Sequence, residues 1–191
     1  MADPRIQKLA QVLVNYSVAL QPGEQFLISS TPEAAELTLA VYKAALLAGA
    51  HPLIMTGLPG RKELFFKHAN DEQLTFISPV QQLIVESFDA SLNIGAPSNT
   101  RELAGADAEK RAKSARASAE INQRFMQRAA KGDLRWSYTM FPTNASAQEA
   151  DMSLSEYEDF VYAAGKLDLD DPVTAWKAEG EKQQKLIDWL T

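Results

Sequence analysis

The stretch from Gln25 to Thr56, QFLISSTPEAAELTLAVYKAALLAGAHPLIMT, decides the fold. Gln25 to Ser29 is short and apolar, with Pro22-Gly23 before it and Thr31-Pro32 after it, so it reads as a buried strand. Thr31-Pro32-Glu33 is a cap followed by proline at the first helical position, and Glu33 and Glu36 stand toward the positive end of the helix dipole. The helix runs to Ala48, Gly49 supplies a left-handed terminator, and His51 to Thr56 is a second strand. Strand, crossover helix, strand is the unit from which parallel sheets are built.

The alternation extends in both directions. Upstream, Asp3-Pro4 caps an amphipathic helix whose Ile6, Leu9, Leu13, Val14 and Leu20 share one face, until Pro22-Gly23 breaks it. Downstream, Arg61 to Ala69 and Pro79 to Ser87 read as helices, Ala90 to Ile94 as a third strand, Ala108 to Ala130 as one long alanine-rich helix ended by Gly132, and Leu134 to Phe141 as a fourth strand. Two further helices follow: Ser153 opens one through Tyr162, with Glu156 completing a capping box, and Pro172 opens another through Trp189. The expected fold is therefore α/β, a parallel sheet of about four strands flanked by helices, with extra C-terminal helices. Residues 1–150 are expected to form the α/β domain and 151–191 a helical extension.

Right-handed crossovers place all strand C-terminal ends on one edge, where α/β proteins bind ligands. The loops there are Ser29 to Thr31, Thr56 to Gly60, Gly95 to Thr100 and Pro142 to Ser146. Their plainer reading is a turn plus a helix cap, because Ser, Thr, Gly and Pro are what such turns need.

Composition bounds the chemistry. The chain has 191 residues, 46% hydrophobic and 23% charged, with a formal net charge of −6, which is ordinary for a globular protein and argues against disorder. Zero cysteines exclude a disulfide framework, a thiolate metal site and a cysteine nucleophile. The start, Met-Ala-Asp-Pro-Arg, lacks the basic and apolar regions of a secretory leader. Leu37 to Ala50 is 14 residues long and contains Lys43, short of the roughly 20 needed to span a bilayer. A water-soluble, cytoplasmic protein is expected. Gly-x-Gly-x-x-Gly, the phosphate loop and the Gly-x-Ser-x-Gly elbow are all missing from the sequence. Neither histidine, His51 or His68, has a second ligand at metal spacing.

Charge is unevenly spread. Residues 149–191 carry 11 acidic and 4 basic side chains, residues 101–135 carry 9 basic and 5 acidic. Asp168, Asp170 and Asp171, like Glu156, Glu158 and Asp159, read as a solvated acidic face. Lys113, Arg116, Arg124, Arg128 and Lys131 form a stripe on the long helix, opposite Ala112, Ala115, Ala119, Met126 and Ala130. A sequence pI near 5.0, Glu120 within the stripe and no interleaved aromatics argue against nucleic acid. A solvated face is expected, with contact to the acidic tail helices as the second option.

The segment from Trp136 to Ala164, WSYTMFPTNASAQEADMSLSEYEDFVYAA, resembles the aminopeptidase T family, the "thermophilic" leucyl aminopeptidases. Those sequences carry a Trp followed by Tyr/Phe-Pro-Thr, small residues, Met-Ser and Glu-Tyr-Glu-Asp-Phe. Leu20-Gln21-Pro22-Gly23-Glu24, Ala48-Gly49-Ala50 and Asp171-Pro172-Val173 with Trp176 extend the resemblance over essentially the whole chain. It implies the N-terminal domain of a two-domain metalloaminopeptidase that removes N-terminal amino acids from peptides. A divalent metal (zinc, cobalt or manganese) would then be held by Glu, His and Asp of a C-terminal catalytic domain, with no cofactor and no catalytic residue in this chain, which alone would be inactive.

On that reading the partners are the C-terminal domain, a peptide substrate and further copies in a homo-oligomer, a dimer being expected, with no nucleic acid and no membrane. The residues expected at the substrate cleft or domain contact are Thr143, Asn144, Ser146 and Gln148; the alternative is that Pro142 to Ala147 is a buried turn. A different class stays open: a noncatalytic α/β module binding a small ligand or a protein, with Trp176, Leu186 and Trp189 as an exposed interaction surface.

Overall fold

The computed structural model describes residues 3–190. Met1, Ala2 and Thr191, which enter the readings of the start and of the last helix, lie outside the described residues. Four parallel strands, β1 (Gln25–Ser30), β2 (His51–Thr56), β3 (Ala90–Gly95) and β4 (Arg135–Met140), form one sheet in the order β2-β1-β3-β4. The helices are α1 (Pro4–Val12), α2 (Ala35–Leu47), α3 (Arg61–His68), α4 (Asp71–Thr75), α5 (Pro79–Ser87), α6 (Ala108–Ala117), α7 (Ala119–Lys131), α8 (Asn144–Glu149), α9 (Leu154–Ala164) and α10 (Pro172–Leu190). The expected α/β fold with a four-stranded parallel sheet and C-terminal helices is the one observed.

The two sheet faces differ. Phe26 and Ile28 of β1 and Ala90, Leu92 and Ile94 of β3 are buried against α1 and α2, in one hydrophobic cluster that also includes Tyr162 and Leu167. Alternate residues point to the other face, where Phe125 of α7 packs on Trp136 of β4 with ring centroids 6.1 Å apart. That cover is incomplete toward the strand C-termini, and Leu53, Met55 and Tyr138 stay exposed. The partly open face belongs to the half of the sheet that carries the strand C-terminal edge.

Four differences from expectation have identifiable physical causes. The first helix ends at Val12 and continues as a wide turn over Leu13–Ser17, in which the Val18 N–H donates to the Leu13 carbonyl at 3.0 Å. This turn, with Ala19 at φ 45°, buries Val14 and Val18 while Leu20 leaves the helical face for a connecting segment. The long alanine-rich helix breaks at Ser118, whose ψ of −3° and hydroxyl bond to the Ser114 carbonyl (3.1 Å) divert the backbone.

Three of the five bases of the stripe are engaged by neighbouring segments while Arg116 and Lys131 stay exposed, and among the described residues none of the five pairs with the tail helices. Lys113 pairs with Asp71, Arg124 with Glu86 and Glu120, and the Arg128 guanidinium donates to the carbonyls of Val85, Phe88 and Asp133, so these bases fasten α6 and α7 to α4 and α5. Trp176 is half-buried, not exposed: it stacks near Tyr16 and its Nε1–H donates to the Gly165 carbonyl at 2.9 Å, whereas Leu186 and Trp189 are exposed as expected.

Gly49 ends α2 at φ 79°, and a Cβ there would sit 3.2 Å from the Pro22 Cβ. Left-handed backbone costs an L-residue about 1–2 kcal/mol, so Gly49→Ala is expected to lower unfolding free energy by that amount in a urea titration.

Candidate functional site

The order β2-β1-β3-β4 makes β1 and β3 the point where successive crossovers leave in opposite directions. A crevice opens outside their C-terminal ends at such a point. Here it is a cavity of about 590 Å³, within the usual range for a small-molecule site. Its rim is fixed by hydrogen bonds between loops, each with a main-chain group at one end or both. The Thr31 hydroxyl donates to the Ala96 carbonyl at 2.8 Å, the Gly57 N–H to the Ser30 carbonyl at 2.8 Å, and the Gly60 N–H to Glu102 Oε1 at 2.7 Å. On β4 the Tyr138 side chain lies over Gly95, where a Cβ would collide with the phenol and come within 2.8 Å of Met140 Sδ.

Three features give this cavity chemical character. Glu33 lines it, and its Oε2 is buried with no hydrogen-bond partner among the described residues. An unsatisfied buried acceptor costs about 1–3 kcal/mol, and more when charged, so such an atom is a marked exception in a folded protein. Arg61 and Lys62, at the start of α3, line the same space and form no ion pair among the described residues. Met55, Leu58, Ile94 and Met140 supply apolar wall. A larger hollow of about 850 Å³ between α3, α4 and α6 combines Phe65, Phe66 and Phe76 with Arg61, Lys62 and Arg111, and among the described residues it contains no orphaned buried polar side-chain atom.

The residues singled out in the 142–148 loop sit beside this cavity rather than in its wall. Thr143 is 7% exposed and caps α8: its Oγ1 donates to the Pro97 carbonyl at 2.8 Å and accepts from the Ser146 N–H. Ser146 is buried next to it, with its Oγ 3.1 Å from Thr143 Oγ1, while Asn144 and Gln148 are exposed. Through Thr143 this loop holds the 95–100 loop in place, and Thr100 does the same from the other side by donating to Glu149 Oε1 at 2.8 Å. That bond, with Arg101 nearby, lowers the Glu149 pKa below the ordinary glutamate value.

Among the described residues, no group of three or more His, Asp or Glu side chains could hold a metal ion. His51 and His68 are both exposed, one at the start of β2 and the other at the end of α3. The residues present do not fit a catalytic divalent cation. No helix among them is long and apolar enough to cross a membrane.

Residues 2–191 match the family model of the thermophilic metalloproteases, M29. The chain belongs to that family. Aminopeptidase 2 of Geobacillus stearothermophilus is 24% identical over 211 residues, covering 98% of this chain and 48% of that protein. The wild-type AmpT structure from Thermus thermophilus shares the fold at a TM-score of 0.75 and 18% identity, covering 94% of this chain and 46% of AmpT. The M29 chain described here thus spans about half the length of the relatives it matches.

Of the four loops named from the sequence, three build the cavity and the 142–146 loop does not, and Glu33, Arg61, Lys62 and Tyr138 were not recognised as its functional groups. Glu33 read as a dipole-stabilising residue at a helix start, and its orphaned oxygen becomes evident only when β1, β2 and β3 are brought together.

Proposed function

We propose that this M29 chain is the N-terminal part of a metal-dependent aminopeptidase that removes N-terminal amino acids from peptides, and that it forms a wall of the substrate cleft. The observation that carries the reading is family membership over residues 2–191 combined with coverage of only 46–48% of the aminopeptidase relatives. Divalent metal, taken as zinc, cobalt or manganese, is then held by residues beyond this chain. When bound, it would polarise the scissile carbonyl or activate a water. The residues here do other work: the loops after β1, β2 and β3 shape and orient, and Met55, Leu58 and Met140 offer apolar surface to a side chain.

In this proposal residues 1–150 are the α/β domain, and 151–191 extend it toward the catalytic half, with the exposed Leu186, Trp189 and Leu190 as the contact. Asn144 and Gln148 are the exposed members of the 142–148 loop and the ones available to peptide or partner domain. We place the whole protein in the cytoplasm as a homo-oligomer.

The 191-residue chain incubated with zinc, cobalt or manganese is expected to retain no stoichiometric metal and to leave leucine p-nitroanilide intact. Metal-dependent turnover by this chain alone overturns the proposal. If the natural reading frame continues past Thr191, its longer product is expected to hydrolyse the anilide only with metal. In that product Asn144→Ala with Gln148→Ala should raise KM at constant kcat, because lost ground-state contacts leave the chemical step unchanged.

A further inference from the structure

The cavity at the C-terminal ends of β1 and β3 contains groups of opposite kind that have no pairing partner among the described residues. Glu102, the other carboxylate in its wall, is already engaged through Oε1 with the Gly60 N–H at 2.7 Å. Glu33 is not: its Oε2 is buried and has no donor among the described residues. Buried acceptors in native structures are satisfied by protein, water or ligand, so this atom calls for a donor, and a cationic one matches a carboxylate best. Arg61 and Lys62, the exposed first residues of α3, present the opposite demand, two cations without an ion pair among the described residues that line this space and reach the neighbouring hollow as well. Between these poles the wall is apolar at Met55, Leu58 and Met140.

We infer that this cavity takes a small zwitterion, a free amino acid or short peptide, with its ammonium on Glu33 and its carboxylate at Arg61 and Lys62. A volume of about 590 Å³ admits a dipeptide or tripeptide with an apolar side chain. Neutral or singly charged ligands satisfy only one pole and leave the other desolvated and unpaired, which is how a polar site rejects a near-isostere. The inference rests on the aminopeptidase reading for its choice of peptide, but it concerns binding by this chain without metal and without turnover.

Amide chemical shifts of the 191-residue chain, followed by NMR, provide the test. Leucylglycine is expected to give saturable shifts at Thr31, Gly57 and Asn99, and free leucine tells whether one residue suffices. N-acetyl-leucylglycine, which lacks the ammonium, and leucinamide, which lacks the carboxylate, should each bind about tenfold more weakly or worse. Glu33→Gln should abolish the preference for the free amine without lowering the thermal midpoint, because the amide is nearly isosteric with the carboxyl group.

Equal binding of leucylglycine and its N-acetyl form overturns the inference, as does the lack of saturable binding of any probe at tens of millimolar. The comparison of probes on the unaltered chain stands even if Glu33→Gln fails to fold. Zwitterion-selective binding with no peptidase activity in the longer product would remove the aminopeptidase reading alone. Activity there without selectivity here would remove only the inference.

Discussion

Replacing Tyr162 with alanine is expected to lower the unfolding free energy by about 3–5 kcal/mol, the range for truncating a buried aromatic ring. Tyr162 is 1% exposed and, although it belongs to α9, it sits in the same hydrophobic cluster as Phe26 and Ile28 of β1. The Arg5 guanidinium lies over its ring at 4.6 Å from the centroid, held there by Asp3 and by Asp159 at 2.6 Å. Urea denaturation monitored by circular dichroism measures the loss. A change below about 1 kcal/mol would mean that α9 is attached to the sheet far more loosely than its burial indicates.

Tyr162→Phe separates the ring from the hydroxyl. Burial, with Glu158 nearby, pushes the Tyr162 phenol up to about 12. A group whose pKa is higher folded than unfolded contributes stability that is complete below its unfolded value, near 10, and is lost as pH rises toward about 12. The parent chain should therefore lose stability across that interval. Tyr162→Phe should flatten the slope there and leave stability at pH 7 almost unchanged.

The second large effect is at Arg135. Its Nε–H donates to the Val18 carbonyl at 2.7 Å and its Nη2 to Glu24, so one guanidinium ties the first residue of β4 to the segments before β1. Arg135→Ala strands a buried carbonyl and a carboxylate that is 19% exposed, an expected loss of about 2–3 kcal/mol. Arg135 itself is 33% exposed, so solvent screening keeps the figure below that of a fully buried pair. In a double-mutant cycle with Glu24→Gln, a coupling energy near zero would show that the carboxylate adds nothing to the carbonyl bond.

Much of the architecture was legible because local signals agreed with the global fold. Asp3-Pro4, Ser153 with Glu156, and Gly132 mark helix ends that the structure reproduces with their caps. What escaped was set by tertiary partners. The Ser118 break depends on a hydroxyl–carbonyl bond that helical periodicity cannot express, and the basic stripe reads as solvated until α4 and α5 supply Asp71, Glu86 and two carbonyls. Trp176 carries no mark of burial in its own segment, since its cover comes from Tyr16 and Gly165.

The cavity was half legible. Topology placed its loops on one edge, but Glu33, Arg61 and Tyr138 lie in segments separated by dozens of residues, and only the register of β1, β2, β3 and β4 assembles them.

The stitching around that opening has an evolutionary corollary. The Gly57–Ser30 bond is main chain at both ends, and the Thr31 and Thr143 hydroxyls each hold a main-chain carbonyl, so apart from these two threonines the frame of the mouth does not depend on Met55, Leu58 or Arg61. Exchanges at Met55, Leu58 or Arg61 can then retune what is accepted without loosening the frame, and relatives can diverge in preference while the edge keeps its shape.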